Sequence, residues 1–273
     1  MSRPTPAVAL TVAGSDSGGG AGVQADLLTF AAFEVHGTCA ITAFTAQNTL
    51  GVSSSFALAP ELVEDQVRAV TTDFIVRAAK TGMLATTAIV RRVGELATEG
   101  LLPNLVVDPV MVSATGAQLL EDDAIEALRT HLLPHALLVT PNRNEAELLT
   151  GVTISSLDAQ RHAARRLLEF GAHAALVKGG HLGGTSSTDV LALGDELIEL
   201  HAPRVDTIND HGTGCTLSAG IAAALARGLS LERAVEEAKA YVTRGLADAA
   251  RWGLGTGRGP FSHFNKARIV VTP

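Results

Sequence analysis

Short unbroken apolar runs alternate along the chain with longer stretches in which apolar positions recur every three or four residues. The runs fall at residues 7–13, 38–46, 76–82, 105–108, 136–140, 174–179 and 190–193. They read as strands covered on both faces, since a half-exposed strand would alternate apolar with polar. Helical spacing appears at residues 22–33, 61–73, 86–99, 122–132, 145–149, 157–170, 214–227 and 231–250. Strand–helix alternation of this kind predicts the α/β class, with a mainly parallel sheet and helices on both faces. Residues 196–201 are expected to form an extra strand, paired with 190–193 through a turn at Gly194–Asp195. The first apolar run follows a single basic residue, Arg3, and leads into glycines, which favours a first strand over a secretion signal. Nothing in the composition marks a linker, so residues 1–273 are read as one domain, with an irregular glycine-rich tail at 253–260. Residues 48–55 are a candidate for a loop that closes over ligands.

Composition narrows the field. With 273 residues, 47% of them hydrophobic, the chain can bury one large core. A net charge of −7 argues against a nucleic-acid surface while permitting a local basic site. No apolar run approaches the roughly 18 residues of a membrane span. The two cysteines, Cys39 and Cys215, make no disulfide framework, and free thiols fit the cytoplasm. The nine histidines show no zinc-ligand spacing.

Polar and glycine-rich residues gather where parallel strands should end, which is where such sheets bind ligands. The turn Asn209–Asp210–His211–Gly212–Thr213–Gly214–Cys215 feeds a helix of small residues, and its backbone N–H groups with the helix dipole make an anion site. A helix N-terminus lowers a thiol's pKa, so Cys215 is expected to be accessible as thiolate; the alternative is an ordinary buried small side chain. Lys178, at a strand end, can snorkel or place a point charge on a phosphate. Asn142 with Glu145 forms a capping box, and Glu145 with Asp108 can also serve a hydrated Mg²⁺ beside phosphates. Gln47 either forms a turn with Asn48 or reads the edge of a heterocycle. Asp26, one turn into a helix, is at least a dipole-favoured acid. Gly20-x-Gly22-x-x-Ala25 matches a relaxed dinucleotide fingerprint, but the second strand lacks the acidic residue that reading requires.

Taken together, these motifs resemble the hydroxymethylpyrimidine and phosphomethylpyrimidine kinases of thiamine biosynthesis, a branch of the ribokinase-like superfamily. The likeness rests on the glycine loop from Ala13 to Asp26, Thr45–Ala46–Gln47–Asn48–Thr49, Lys80–Thr81–Gly82–Met83, Asp108–Pro109–Val110–Met111, Thr140–Pro141–Asn142 with Glu145, Lys178–Gly179–Gly180–His181 and His211–Gly212–Thr213–Gly214–Cys215. It implies a three-layer α/β/α fold, a homodimer and ATP with Mg²⁺. It also implies two successive phosphorylations, of 4-amino-5-hydroxymethyl-2-methylpyrimidine and then of its monophosphate. In that scheme Asp26 and Gln47 hold the ring, while Gly14, Met83 and Val110 line its pocket. Asp108, Asn142 and Glu145 organise the metal, and Lys178 meets ATP phosphates. Gly212, Thr213 and Gly214 form the anion hole, with Cys215 facing the hydroxymethyl group. A pyridoxal kinase or a non-catalytic pyrimidine sensor on the same fold are the alternatives. Two positions depart from the family pattern. Ala114 stands where a lysine is usual, and Asp210 puts a carboxylate beside the anion hole in place of threonine.

Overall fold

The computed structural model describes residues 5–112, 116, 119–121, 123–180 and 185–264. The expectations for Ala114 and His181 lie outside them. Nine strands form one sheet: β1 (Val8–Asp16), β2 (His36–Asn48), β3 (Gly51–Ala57), β4 (Val76–Thr81), β5 (Val106–Val107), β6 (Leu138–Val139), β7 (Ala174–Val177), β8 (Ser186–Leu193) and β9 (Glu196–Pro203). Their order is β3-β2-β1-β4-β5-β6-β7-β8-β9. β2, β1, β4, β5, β6 and β7 run parallel, with β3 antiparallel at one edge and β8 antiparallel to both β7 and β9 at the other.

Alternate residues of the central strands enter two separate cores, which is why their runs read as unbroken. Leu10, Val107, Val139 and Val177 face one side; Ala9, Val106, Leu138 and Leu176 face the other. The first core is covered by α2 (Pro60–Asp73), α3 (Thr87–Thr98), α4 (Ala124–Ala127), α5 (Arg143–Thr150) and α6 (Leu157–Leu168). The second is covered by α1 (Gly22–Ala32), α7 (Thr213–Ala226) and α8 (Leu231–Ala249). The expected three-layer architecture is the one observed.

Several boundaries differ for identifiable reasons. β5 and β6 are two residues each because Pro109 and Pro141 follow close behind and cannot donate to the ladder. The helix expected at 122–132 is a short α4 that widens into a π turn at Leu128–Leu132 and tightens before Pro134. The expected loop at 48–55 is mostly strand: β3 pairs antiparallel with β2, and its serines lie exposed at the sheet edge, where no apolar alternation marks them. The hairpin through Gly194 forms as expected, with Leu193 opposite Glu196.

Helix α7 positions the site. From Thr216 to Ala226 every residue is buried, as expected of a helix apolar on all sides. Gly220 lets α8 and α1 approach: a Cβ there would sit 3.1 Å from Ala238 Cβ and 3.3 Å from Phe33 Cζ. Packed across β1, β4 and β5, α7 delivers its N-terminus to the middle of the sheet's carboxyl edge.

Candidate active site

A cavity of about 690 Å³ opens along that edge. Gly14, Gln47, Met83 and Val110 line one end, and Asn142, Glu145 and Lys178 the far wall. Gly212, Thr213, Gly214 and Cys215 lie between them, and Lys239, Val242 and Leu246 of α8 extend the cavity further. Twelve of the thirteen residues singled out from the sequence therefore meet in one space. Asp26 does not.

Asp26 is fully buried behind the wall. Its carboxylate accepts from Thr11 Oγ1 at 2.6 Å and from Lys80 Nζ at 2.8 and 3.0 Å. The carboxylate thus lies behind the cavity lining rather than on it, away from where the resemblance implies it would meet the ring. The side chain that reaches the cavity is its partner Lys80. Burial works against the ammonium, but Asp26, with Cys215 and Asp108, holds Lys80 well above the ordinary lysine value. A buried lysine at a strand end was legible only as a family match.

The glycine loop is built around Asp16, a residue the sequence did not single out. Its carboxylate takes the N–H groups of Gly18 (2.8 Å), Gly20 (3.2 Å) and Ala21 (2.9 Å), folding residues 17–21 over the end of β1. The same carboxylate lies 2.9 Å from His211 Nε2. Burial opposes its charge, but the His211 hydrogen bond and those N–H groups prevail and lower its pKa. Loop and turn touch so closely that a Cβ on Gly20 would lie 2.4 Å from His211 Cδ2, and one on Gly212 would lie 1.8 Å from the Gly20 carbonyl. Gly212 also needs its left-handed φ of 82°.

Gln47 Nε2 approaches the same His211 Nε2, at 3.1 Å. One ring nitrogen cannot donate to Asp16 and accept from an amide at once. A carboxylate only accepts, so His211 Nε2 carries the proton toward Asp16. The Gln47 amide is then left to find its acceptor in the cavity, as a heterocycle reader requires.

At the opposite wall Asp108, only 2% exposed, accepts from Lys178 Nζ at 3.1 Å and from Ser218 Oγ of α7 at 3.2 Å. A Cβ on Gly214 would meet Lys178 Nζ at 3.3 Å, so the lysine sits directly over the helix start. Asn142 and Glu145 form the expected reciprocal cap: Asn142 Oδ1 accepts from Glu145 N–H at 3.0 Å, and Glu145 Oε2 accepts from Asn142 N–H at 2.7 Å. Glu145 is 6% exposed. Burial raises its pKa, Lys178 opposes and Asp108 adds to the rise. Two buried carboxylates facing one cavity, with a single lysine between them, fit a hydrated divalent cation shared with substrate phosphates. Among the described residues no group of three or more histidine, cysteine or acidic side chains forms an all-protein metal cage.

Two expectations at the turn change. The Thr213 N–H is already taken by the Asp210 carbonyl at 3.2 Å, so an anion hole falls to Gly212, Gly214 and the rest of the helix's first turn. The thiol of Cys215 is not activated in the resting protein. Burial pushes it up to about 11; Lys80 pulls it down, Asp26 and Asp108 push it up again, and the Gly22 N–H lowers it a little. The roughly half charge of a helix dipole does not overcome burial beside two carboxylates. The neighbouring carboxylate Asp210, unexplained by sequence, is gripped by Arg258 from the glycine-rich tail, with Nε 2.9 Å from Oδ1 and Nη2 on Oδ2. That tail is not loose: Arg258 N–H donates to Thr49 O at 2.9 Å, and His211 N–H donates to Gly259 O at 3.1 Å.

The family described as Phosphomethylpyrimidine kinase matches residues 16–262. A hydroxymethylpyrimidine/phosphomethylpyrimidine kinase of Rhizobium meliloti is 49% identical over 261 residues, covering 95% of this chain and 98% of its own. The crystal structure of a phosphomethylpyrimidine kinase from Clostridium difficile superposes with a TM-score of 0.77 at 40% identity, over 87% of this chain and 98% of that one. A pyridoxal kinase from Staphylococcus aureus, solved with AMP-PCP and pyridoxal, has a TM-score of 0.87 at 34% identity, over 97% and 96%.

Proposed function

We propose that this chain, which belongs to the phosphomethylpyrimidine kinase family, transfers the γ-phosphoryl group of ATP to 4-amino-5-hydroxymethyl-2-methylpyrimidine and then to the resulting monophosphate, in thiamine biosynthesis. The observation that carries the reading is the shape of the cavity. A ring-reading end at Gln47 and a cation–phosphate end at Asp108, Glu145 and Lys178 are separated by one helix N-terminus carrying Cys215.

In this reading the aminopyrimidine lies against Gly14, Met83 and Val110, with the Gln47 amide donating to a ring nitrogen. The apolar slot of Val242 and Leu246 receives the adenine. Asp108, Glu145 and Asn142 would hold Mg²⁺ with its waters, and the metal would supply neutralisation of phosphate charge. Lys178 pairs with the transferred group, and the N–H groups of Gly212 and Gly214 cradle its oxygens. The protein's contribution is thus positioning and charge neutralisation, as phosphoryl transfer demands. In the first transfer the hydroxymethyl oxygen bonds to the γ-phosphorus as the β–γ bridging P–O bond breaks, and the hydroxyl proton passes to Cys215 in its minor thiolate form.

The reading extends to context. No helix among the described residues is long and apolar enough to cross a membrane. We place the enzyme in the cytoplasm, acting on small molecules as one ribokinase-like unit. We also read it as a homodimer. Phe44 and Phe56 face each other across β2 and β3 and are 49% and 69% exposed, and Leu50 in the turn of the same hairpin is 66% exposed. Side-by-side steady-state ATP consumption with the pyrimidine alcohol, its monophosphate and pyridoxal tests the function. Turnover of pyridoxal alone would overturn it in favour of a pyridoxal kinase.

A further inference from the structure

Five cationic side chains line the cavity among the described residues: Lys80, Lys178, Lys239, Arg204 and Arg258. The three lysines are committed to buried or nearly buried carboxylates, Asp26, Asp108 and Asp189 respectively. Arg204 donates to the Gly180 carbonyl on the ATP side, at 2.9 Å. Arg258 is the cation beside the glycine turn, and its situation differs. Its side chain is 46% exposed and that of its partner Asp210 is 32% exposed. An exposed ion pair adds little stability, so a ligand can exchange for one partner at little cost.

The backbone beneath Arg258 is held on both sides. The N–H groups of Thr256 and Gly257 donate to Thr49 Oγ1 at 3.3 and 3.2 Å, and that of Arg258 to Thr49 O. On the far side Phe261 N–H donates to His211 O at 3.1 Å, and Pro260 bridges to His211. The approach is so close that a Cβ on Gly257 would lie 2.1 Å from Thr49 O, and one on Gly259 would lie 1.8 Å from Asn209 Oδ1. The tail therefore works as a strap. It sets the Arg258 guanidinium at the mouth of the turn, on Asp210 two residues before Gly212, between the β2–β3 hairpin and the anion hole.

We propose that Arg258 is the phosphate-recognising residue for the phosphorylated acceptor, and that Asp210 occupies its guanidinium until that ligand displaces the carboxylate. The inference rests on the two-step reading above. A neutral alcohol brings no charge to the ring end of the cavity; its phosphate monoester brings nearly two negative charges at neutral pH. A planar guanidinium matches a phosphate monoester bidentately, as it matches a carboxylate. Phosphate thus competes with Asp210 for the same fork. In the second transfer an oxygen of the acceptor phosphate bonds to the γ-phosphorus and the β–γ bridging P–O bond breaks, yielding ADP and the pyrimidine diphosphate.

The test is steady-state kinetics of the full chain with the alcohol and with its monophosphate at saturating ATP. Arg258→Gln is expected to lower kcat/KM for the monophosphate at least tenfold more than for the alcohol, mainly through KM, with Arg258→Lys recovering part of the difference. Asp210→Asn is expected to move the monophosphate KM downward severalfold, which keeps the inference testable if the glutamine variant folds poorly. An unchanged ratio between acceptors in both Arg258→Gln and Asp210→Asn overturns it and leaves the pair as a tie for the strap. A wild-type enzyme that turns over neither acceptor overturns the functional reading itself, and this inference with it.

Discussion

His211 Nε2 lies 2.9 Å from the Asp16 carboxylate that folds the glycine loop, and 3.1 Å from the Gln47 amide. One imidazole thereby ties the loop to the turn that begins α7, with the Gln47 amide beside it. Replacing it with alanine removes the join without touching a phosphate or a metal ligand. The expected result for His211→Ala is a rise of about tenfold or more in the KM for the pyrimidine, corresponding to roughly 1.4 kcal/mol, with the ATP KM changed much less. Gln47→Ala is expected to show the same split. Equal losses for both substrates would argue against a ring contact at Gln47.

The Asp16 carboxylate also has a pH signature. Its pKa is lower in the folded protein than its ordinary value of 3.8. The group therefore stabilises the fold fully above that value and loses the contribution as pH falls through the depressed folded pKa. Wild-type protein should lose thermal stability more steeply than Asp16→Asn as pH drops from about 5 toward 2. Parallel melting curves for the two across that range would sink the assignment.

The buried Asp26–Lys80 pair gives a contrasting prediction, because the family resemblance implies a ring contact for Asp26 and the structure places it behind the cavity lining. Asp26→Ala would leave the ammonium of Lys80 fully buried without its carboxylate, which costs about 3–5 kcal/mol. Urea denaturation should show this loss. Asp26→Leu with Lys80→Met should recover much of it, since removing both charges removes the unpaired group. A stable Asp26→Ala protein defective only in pyrimidine binding would restore the original reading.

How far the sequence carried the site can be judged from individual residues. Strand ends and helix starts were legible because unbroken apolar runs stop at polar residues, which is how Asp108, Asn142, Glu145, Lys178 and Gly212 were found. Burial behind the wall was not: Asp26 and Lys80 lie 54 residues apart, and nothing local marks them as partners. The same holds for Asp16 with His211, 195 apart, and Asp210 with Arg258, 48 apart. The glycines at 255, 257 and 259 read only as an irregular tail because close approach to Thr49 and Asn209 is a property of the folded chain alone. Strand β3 was missed because edge serines carry no burial pattern.

Cys215 is where pKa and chemistry can be separated most sharply. Its thiol, pushed up to about 11 by burial, holds its proton at rest. A base role then needs the small thiolate fraction, which grows about tenfold per pH unit below that pKa. The first acceptor is an alcohol that must lose a proton, whereas the second is a phosphate monoester whose second pKa is about 6, so its attacking oxygen is already bare at neutral pH. If Cys215 takes the proton, Cys215→Ala should lower kcat for the alcohol by roughly 10²-fold or more, within the usual range for general-base catalysis. Turnover of the monophosphate should fall far less, and pyrimidine binding should stay within a few-fold. Wild-type kcat/KM for the alcohol should climb between about pH 7 and 9, and the alanine variant should flatten that climb. Equal losses with both acceptors would instead assign Cys215 to shaping the helix start, leaving the backbone N–H groups of Gly212 and Gly214 as the working part of the turn.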